Sequence, residues 1–301
     1  MQTLRRLLVM ITSVALIALL APASAQARPS SYPGMASYPT YNARFWDGPS
    51  IGHLGNYIPQ GLTYWKAKDA LVTTYYDEDN AASPALISVR NRLGKKNERK
   101  WLKIMPGHAG GAVISGKYLW VANTTASGTS YVYRYSLAKF AKAKHKSYLG
   151  YDKAFQAKAS SYLTVRSGDL WVGQHTKSDS TAGRMYRYDI TKAGNLTYKS
   201  SMATPGRVQG AVFSGKRVIY SRSWDRTKAS TITVKNLSTG RQKSFAAPSM
   251  IQGATIADGW LYLTTESGAS HYRYGEDGKG RSKNPITKTH YASLSWLKGL
   301  V

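Results

Sequence analysis

The chain has 301 residues, with 42 Lys and Arg against 15 Asp and Glu, a formal charge of +27 and no cysteine. The lack of cysteine excludes a disulfide-braced scaffold and a thiol-linked lipid anchor, so a sizeable apolar core has to hold the fold. The cationic excess favours anionic partners such as wall polymers, acidic polysaccharide or a membrane surface, and the scatter of basic residues makes any contact with nucleic acid non-specific.

In chain order, MQTLRR is a basic n-region, Leu7 to Leu20 is an apolar run of 14 residues, and Ala23-Ser24-Ala25 is an A-x-A cleavage signal. This reads as a signal peptide over residues 1–25, cut after Ala25. The run is short for a membrane span of about 20 residues. Arg5-Arg6 lacks the rest of a twin-arginine consensus, so the general export route is expected. What remains is about 276 residues with a charge near +25. It carries no second apolar stretch and is therefore expected to be a secreted, extracellular monomer without a transmembrane segment. Residues 26–41 (QARPSSYPGMASYPTY) are rich in Pro, Ser and Tyr and read as a flexible tether. Residues 42–301 are the folded domain.

That domain repeats itself. The anchors Gln60-Gly61, Gly110-Gly111, Ser161-Tyr162, Gln209-Gly210 and Gln252-Gly253 fall 50, 51, 48 and 43 residues apart, a period that marks a propeller or solenoid. After each anchor comes a short apolar strand and a polar turn such as Ser115-Gly116-Lys117 or Ser214-Gly215-Lys216. A second strand follows: LVTTYY (71–76), LWVANT (119–124), LWVGQH (170–175), VIYSRS (218–223) and LYLTTE (261–266). Third strands are ALISVRN (85–91), YVYRYSL (131–137), RMYRYDI (184–190), TITVKNL (231–237) and THYASLS (289–295). Weaker fourth strands are RKWLKI (99–104), KSYLGY (146–151), LTYKSS (196–201) and RQKSFA (241–246). Their Val, Tyr and Trp content and short apolar runs fit strands. Four strands per unit predict an all-β, five-bladed β-propeller. The fifth unit ends after its third strand, so residues 42–46 (NARFW) are predicted to complete the last blade and close the ring, removing an open edge. Asp47 falls on this outer strand as a turn former.

In such a ring the turns into each first strand and the loops joining second to third strands share one face. The first set offers Gln60, His108, Gln209 and Gln252. The second offers Tyr76, Gln174, His175, Arg222 and Trp224. Amides, imidazoles and aromatic rings around one mouth suit a polyhydroxyl ligand; the alternative is that the polar groups only satisfy backbone around a wet channel. Acids are scarce, so any catalytic pair would draw on Glu266 with Asp77 or Asp79. Glu78, Asp179 and Asp225 are the other acids within reach of that face. The six histidines show no ligand spacing, and neither metal nor cofactor is expected. A long excursion, residues 267–288, offers His271 to Tyr274 as a cover for the mouth.

The stretches IPQGLTY, PGHAGGAVISGKYLWVAN, RVQGAVFSGKRVIYSRS and PSMIQGATIADGWLYLTTESGASHYR resemble secreted β-propeller proteins of actinobacteria, mostly without assigned function. The resemblance covers about residues 56–301 and implies the propeller and export, with no catalytic residues to carry over. An acid is expected at the last anchor of many such sequences, where this chain has Gln252. Two functions follow as expectations. One is a secreted binding module recognising a carbohydrate or anionic cell-surface polymer at the channel mouth. The other is a glycan-acting hydrolase or lyase using the mouth carboxylates.

Overall fold

The structure, a computed structural model, describes residues 27–80, 82–93 and 98–301. The expected leader lies outside the described residues. Helix α1 (Pro39–Arg44) runs into strand β1 (Phe45–Ser50). Blade one is β2 (Tyr57–Trp65), β3 (Ala70–Asp77), β4 (Ala85–Asn91) and β5 (Glu98–Ile104). Blade two is β6 (Gly111–Ser115), β7 (Tyr118–Thr124), β8 (Ser130–Ser136) and β9 (Lys153–Gln156), with helix α2 (Leu137–Lys142) between the last two. Blade three is β10 (Tyr162–Arg166), β11 (Asp169–Gly173), β12 (Gly183–Ile190) and β13 (Leu196–Thr204). Blade four is β14 (Val208–Ser214), β15 (Arg217–Arg222), β16 (Ser230–Asn236) and β17 (Gln242–Ala247). Blade five is β18 (Ile251–Ala257), β19 (Trp260–Thr265) and β20 (Lys288–Ser293), followed by helix α3 (Leu294–Lys298).

Each blade is a four-stranded antiparallel sheet, and β1 is the outer strand of blade five. Phe45 stands opposite Ala292 and Trp46 opposite Tyr291, the pairing that the missing fourth strand predicts. The fold is therefore a five-bladed β-propeller closed by its N-terminal strand. Second strands such as β3 and β19 are buried over nearly their whole length, because both of their faces meet a neighbouring blade. Outer strands such as β13 and β17 face water and are mostly polar.

The inner strands β2, β6, β10, β14 and β18 touch in turn, and β18 returns to β2. Glycine permits that crowding. A Cβ on Gly61 would lie 2.6 Å from the Ala112 nitrogen, and one on Gly253 2.5 Å from the Gln60 carbonyl oxygen. Blade three solves the same problem in reverse. Its anchor is Tyr162, buried with its ring across Gly173 on the adjoining strand, where a Cβ would sit 1.9 Å from the ring.

Four expectations change. Residues 29–44 are not a loose tether: two short 3-10 turns and α1 carry Met35, Tyr38 and Tyr41 into the core beside blades four and five, each about 1% exposed. The polar composition hid three apolar anchors. Asn42 to Arg44 close α1 rather than start the strand. KSYLGY is not the outer strand of blade two, which is β9. Instead its backbone runs beside the outer strand of blade one, with Lys146 N donating to Trp101 O (2.8 Å), Lys103 N to Ser147 O (2.9 Å) and Leu149 N to Lys103 O (2.8 Å). It thereby covers an exposed edge. Asp47 is on the outer strand as expected, but it forms a buried ion pair rather than a turn. Lys288 Nζ donates to its Oδ2 at 3.0 Å, and His290 Nε2 lies 3.4 Å from Oδ1.

Candidate functional site

The site begins in the backbone of the inner strands. Strands β2, β14 and β18 each break register at their Gln-Gly dipeptide, between Pro59 and Leu62, Val208 and Gly210, and Ile251 and Ala254. Such β-bulges re-aim a side chain. A glycine inside a strand pattern is a signal for one, and sequence reasoning passed over it.

Glu266 follows β19 directly. Its backbone N–H donates to Met250 O at 3.1 Å, which holds the residue against the entry to β18. Its carboxylate accepts a hydrogen bond from Gln60 Nε2, across the seam where blade five meets blade one, and another from Gln252. The residue is 9% exposed. Burial, opposed by these two amides and reinforced by the negative charge of Glu78, pushes its pKa from 4.5 up to about 7. The carboxyl therefore exchanges its proton near neutrality.

Two cavities, of about 470 and 480 Å³, open at this end of the ring. The first brings together His175, Gln209, Trp224, Gln252 and Glu266 of the expected set. The second brings together Tyr76, Asp77 and His108. Gln60 is buried behind Glu266 and supports it. Like Gln60, three further expected residues line neither cavity. Gln174 is exposed. Arg222 is committed between blades three and four, donating to Gly206 O (2.9 Å) and Asp179 Oδ1 (2.7 Å). Asp79 is 71% exposed, 4.0 Å from His271 Nδ1. Asp77 lines the second cavity, but its Oδ1 also accepts from the N–H groups of Asp79 and Asn80 at 3.2 Å and shapes the turn.

The excursion of blade five adds residues that the sequence placed only loosely. A one-turn π-helix, His271–Gly275, carries Tyr272 into the first cavity as a buried wall, rather than leaving it as an outer cover. Inserted turns of this type recur at functional sites. The Tyr272 hydroxyl is 3.3 Å from that of Tyr76, whose ring centroid in turn lies 4.1 Å from that of His108. Burial, together with the charge of Glu266, raises both phenols well above 10, so both remain protonated. Arg226 was not singled out from sequence. It donates in bidentate fashion to Asp277 at 2.8 and 2.7 Å and lies 4.9 Å from the Tyr272 ring centroid. Its fork holds the Asp277 carboxyl well below the usual carboxylate range. His271 Nε2 lies 3.3 Å from Asp277 and 3.7 Å from Glu78, which ties the excursion to the loop of blade one. Arg207 sits 3.6 Å over the exposed Trp224 ring and steadies it at the rim. Among the described residues, no group of three His, Cys, Asp or Glu is placed to hold a metal ion. No described helix is long and apolar enough to cross a membrane.

The fold and its mouth define the class: a five-bladed propeller with a polar, aromatic-walled cleft at one end of its channel. No protein-family model matches the chain, and no curated protein matches it in sequence. It is similar in fold to the tail fiber of Staphylococcus aureus phage P68 (TM-score 0.51, 12% identity), over 85% of this chain and 55% of that one. The chain thus spans about half the length of that fiber. A luciferin-regenerating enzyme matches at TM-score 0.46 and 10% identity, over 81% of this chain and 94% of that one. At 12% identity the likeness to the fiber is one of fold.

Proposed function

We propose that the channel mouth is a carbohydrate-binding site of a secreted protein. The observation that carries this reading is the composition of the first cavity. Gln209, Gln252, His175 and Glu266 present amide, imidazole and carboxyl groups at its base, and Tyr272 and Trp224 present aromatic walls. Amides and carboxyls hydrogen-bond sugar hydroxyls, and ring faces cover the C–H surface of a pyranose. On a glycan array, binding concentrates on one class of sugar, and Glu266→Gln weakens it by about 1.5–3 kcal/mol through one lost charge-assisted hydrogen bond. Binding unchanged by Glu266→Gln removes the mouth as the site.

A second reading has its own support. Burial raises the Glu266 carboxyl to about 7 and the charge of Glu78 acts on it, and glycosidases use two such carboxyls at one site as acid and base. Under this reading Glu266→Gln abolishes hydrolysis while sugar binding persists.

The anionic partner implied by the +27 charge belongs on the outer surface rather than in the cleft. Lys66, Lys68, Lys103, Lys142, Lys144 and Lys146 are all exposed on blades one and two. Retention on heparin or teichoic acid falls steeply as salt shortens the Debye length from about 30 to about 8 Å. Retention indifferent to salt makes the charge incidental.

A further inference from the structure

We infer that the mouth holds two sugar subsites in series, so that its ligand is an oligosaccharide whose second unit is neutral or amine-bearing; this rests on the carbohydrate reading above. The two cavities, of about 470 and 480 Å³, are each of a size that takes a small ligand by itself. They meet at a pair of tyrosines. Tyr272 lines the first, Tyr76 lines the second, and their hydroxyls are 3.3 Å apart. A chain crossing from one cavity to the other passes over this pair, whose hydroxyls bond each other through one proton and leave the other to donate to a bridging oxygen or its neighbours.

The two halves differ in chemistry. Arg226 and Lys279 line the first beside Glu266. The second is lined by Asp77, Glu78, Asn80, Thr124 and Thr125, with no Lys or Arg among the described residues, in a chain that holds 42 of them. Hydroxyl and amide groups there match sugar hydroxyls. Two carboxylates with no Lys or Arg in the cavity, Glu78 having only the His271 imidazole 3.7 Å away, disfavour a uronic acid or sulfated unit, since like charges brought together out of water repel strongly. They favour a hydroxyl donor or an ammonium. The ring of Tyr76, backed by His108, supplies the stacking face.

The test is titration calorimetry on the whole mature chain. The probes are glucosamine, N-acetylglucosamine and galacturonate, each as monomer and as β- or α-1,4-linked dimer to tetramer. Affinity is expected to rise at least ten-fold from monomer to trimer in the amine or N-acetyl series, with no such rise for oligogalacturonate. Ala126→Trp places a large side chain in the second cavity from an exposed position and leaves the first untouched. It is expected to remove the gain with length while monomer affinity stays the same. Glu78→Gln is expected to lower the affinity for the glucosamine trimer more than for the N-acetylated one. Equal affinity for all lengths, with Ala126→Trp silent, overturns the two-subsite inference and leaves the single-site reading standing. A length gain for oligogalacturonate equal to the others overturns the assigned polarity. Failure of every probe to bind, at any length, overturns the carbohydrate reading itself.

Discussion

Deletion of residues 42–50 is expected to unfold the domain at room temperature or to lower its melting temperature by tens of degrees. The segment contributes the whole of β1, the outer strand of blade five, and with it the closure of the ring. Phe45 is fully buried and stacks on Tyr41 with ring centroids 3.9 Å apart and an interplanar angle of 5°. Losing such a side chain costs about 3–5 kcal/mol. Asp47 leaves with it, and its removal strands two partners, the Lys288 ammonium and the His290 imidazole, whose pKa burial holds below the ordinary value. Lys288 loses a 3.0 Å bond, and buried His290 loses its only carboxylate among the described residues. Lys288, 39% exposed, can turn to water, but the buried imidazole left without its acceptor costs about a further 1–3 kcal/mol. The sum approaches the roughly 5–15 kcal/mol by which an ordinary domain is stable. Circular dichroism melts of the deleted and intact chains check this, and an unchanged midpoint refutes ring closure as the source of stability.

Glu266→Gln is expected to stabilise the fold at alkaline pH while it impairs the site. Exposed in the unfolded chain, Glu266 ionises at its ordinary 4.5; buried in the folded chain it ionises at about 7. Between these values the folded state holds the proton more tightly. The contribution of this group is thus fully present below pH 4.5 and is lost as pH rises through 7. At pH 8 and above, the buried charge costs about 3 kcal/mol, since each tenfold gain in proton affinity on folding is worth about 1.36 kcal/mol. Glutamine keeps the shape without the ionisation, so the variant melts several degrees higher at pH 8 and close to the parent at pH 4. Equal melting points at both values show that Glu266 is solvated or counter-charged in solution. A stabilised variant that no longer binds sugar identifies Glu266 as a residue kept at the expense of stability.

The propeller was legible because its evidence is local and repeated. Each unit carries an apolar second strand, and four of the five carry a Gly-containing turn and a Gly at the axis, all at nearly constant spacing. Closure by β1 was legible from a count, since one blade lacked a strand. The mouth was legible only as a list. Residues at equivalent strand ends had to surround one axis, and eight of the twelve named do line one of the two cavities. Arg222 does not, because a guanidinium can turn aside to Asp179, and no strand pattern reveals which way a long side chain turns.

What the sequence by itself determined is the blade count, the strand order and the ring closure, because these follow from periodicity over a few residues and its repetition. What only the tertiary structure decided is the chemistry of the mouth. Glu266 is buried by Gln60 from 206 positions away, and Tyr272 meets Tyr76 from 196 away. The packing of Met35, Tyr38 and Tyr41 likewise depends on blades four and five, which lie at the far end of the chain. Burial, and with it the protonation and charge of a site, is set by neighbours that the fold brings together across such distances, and no local pattern encodes it.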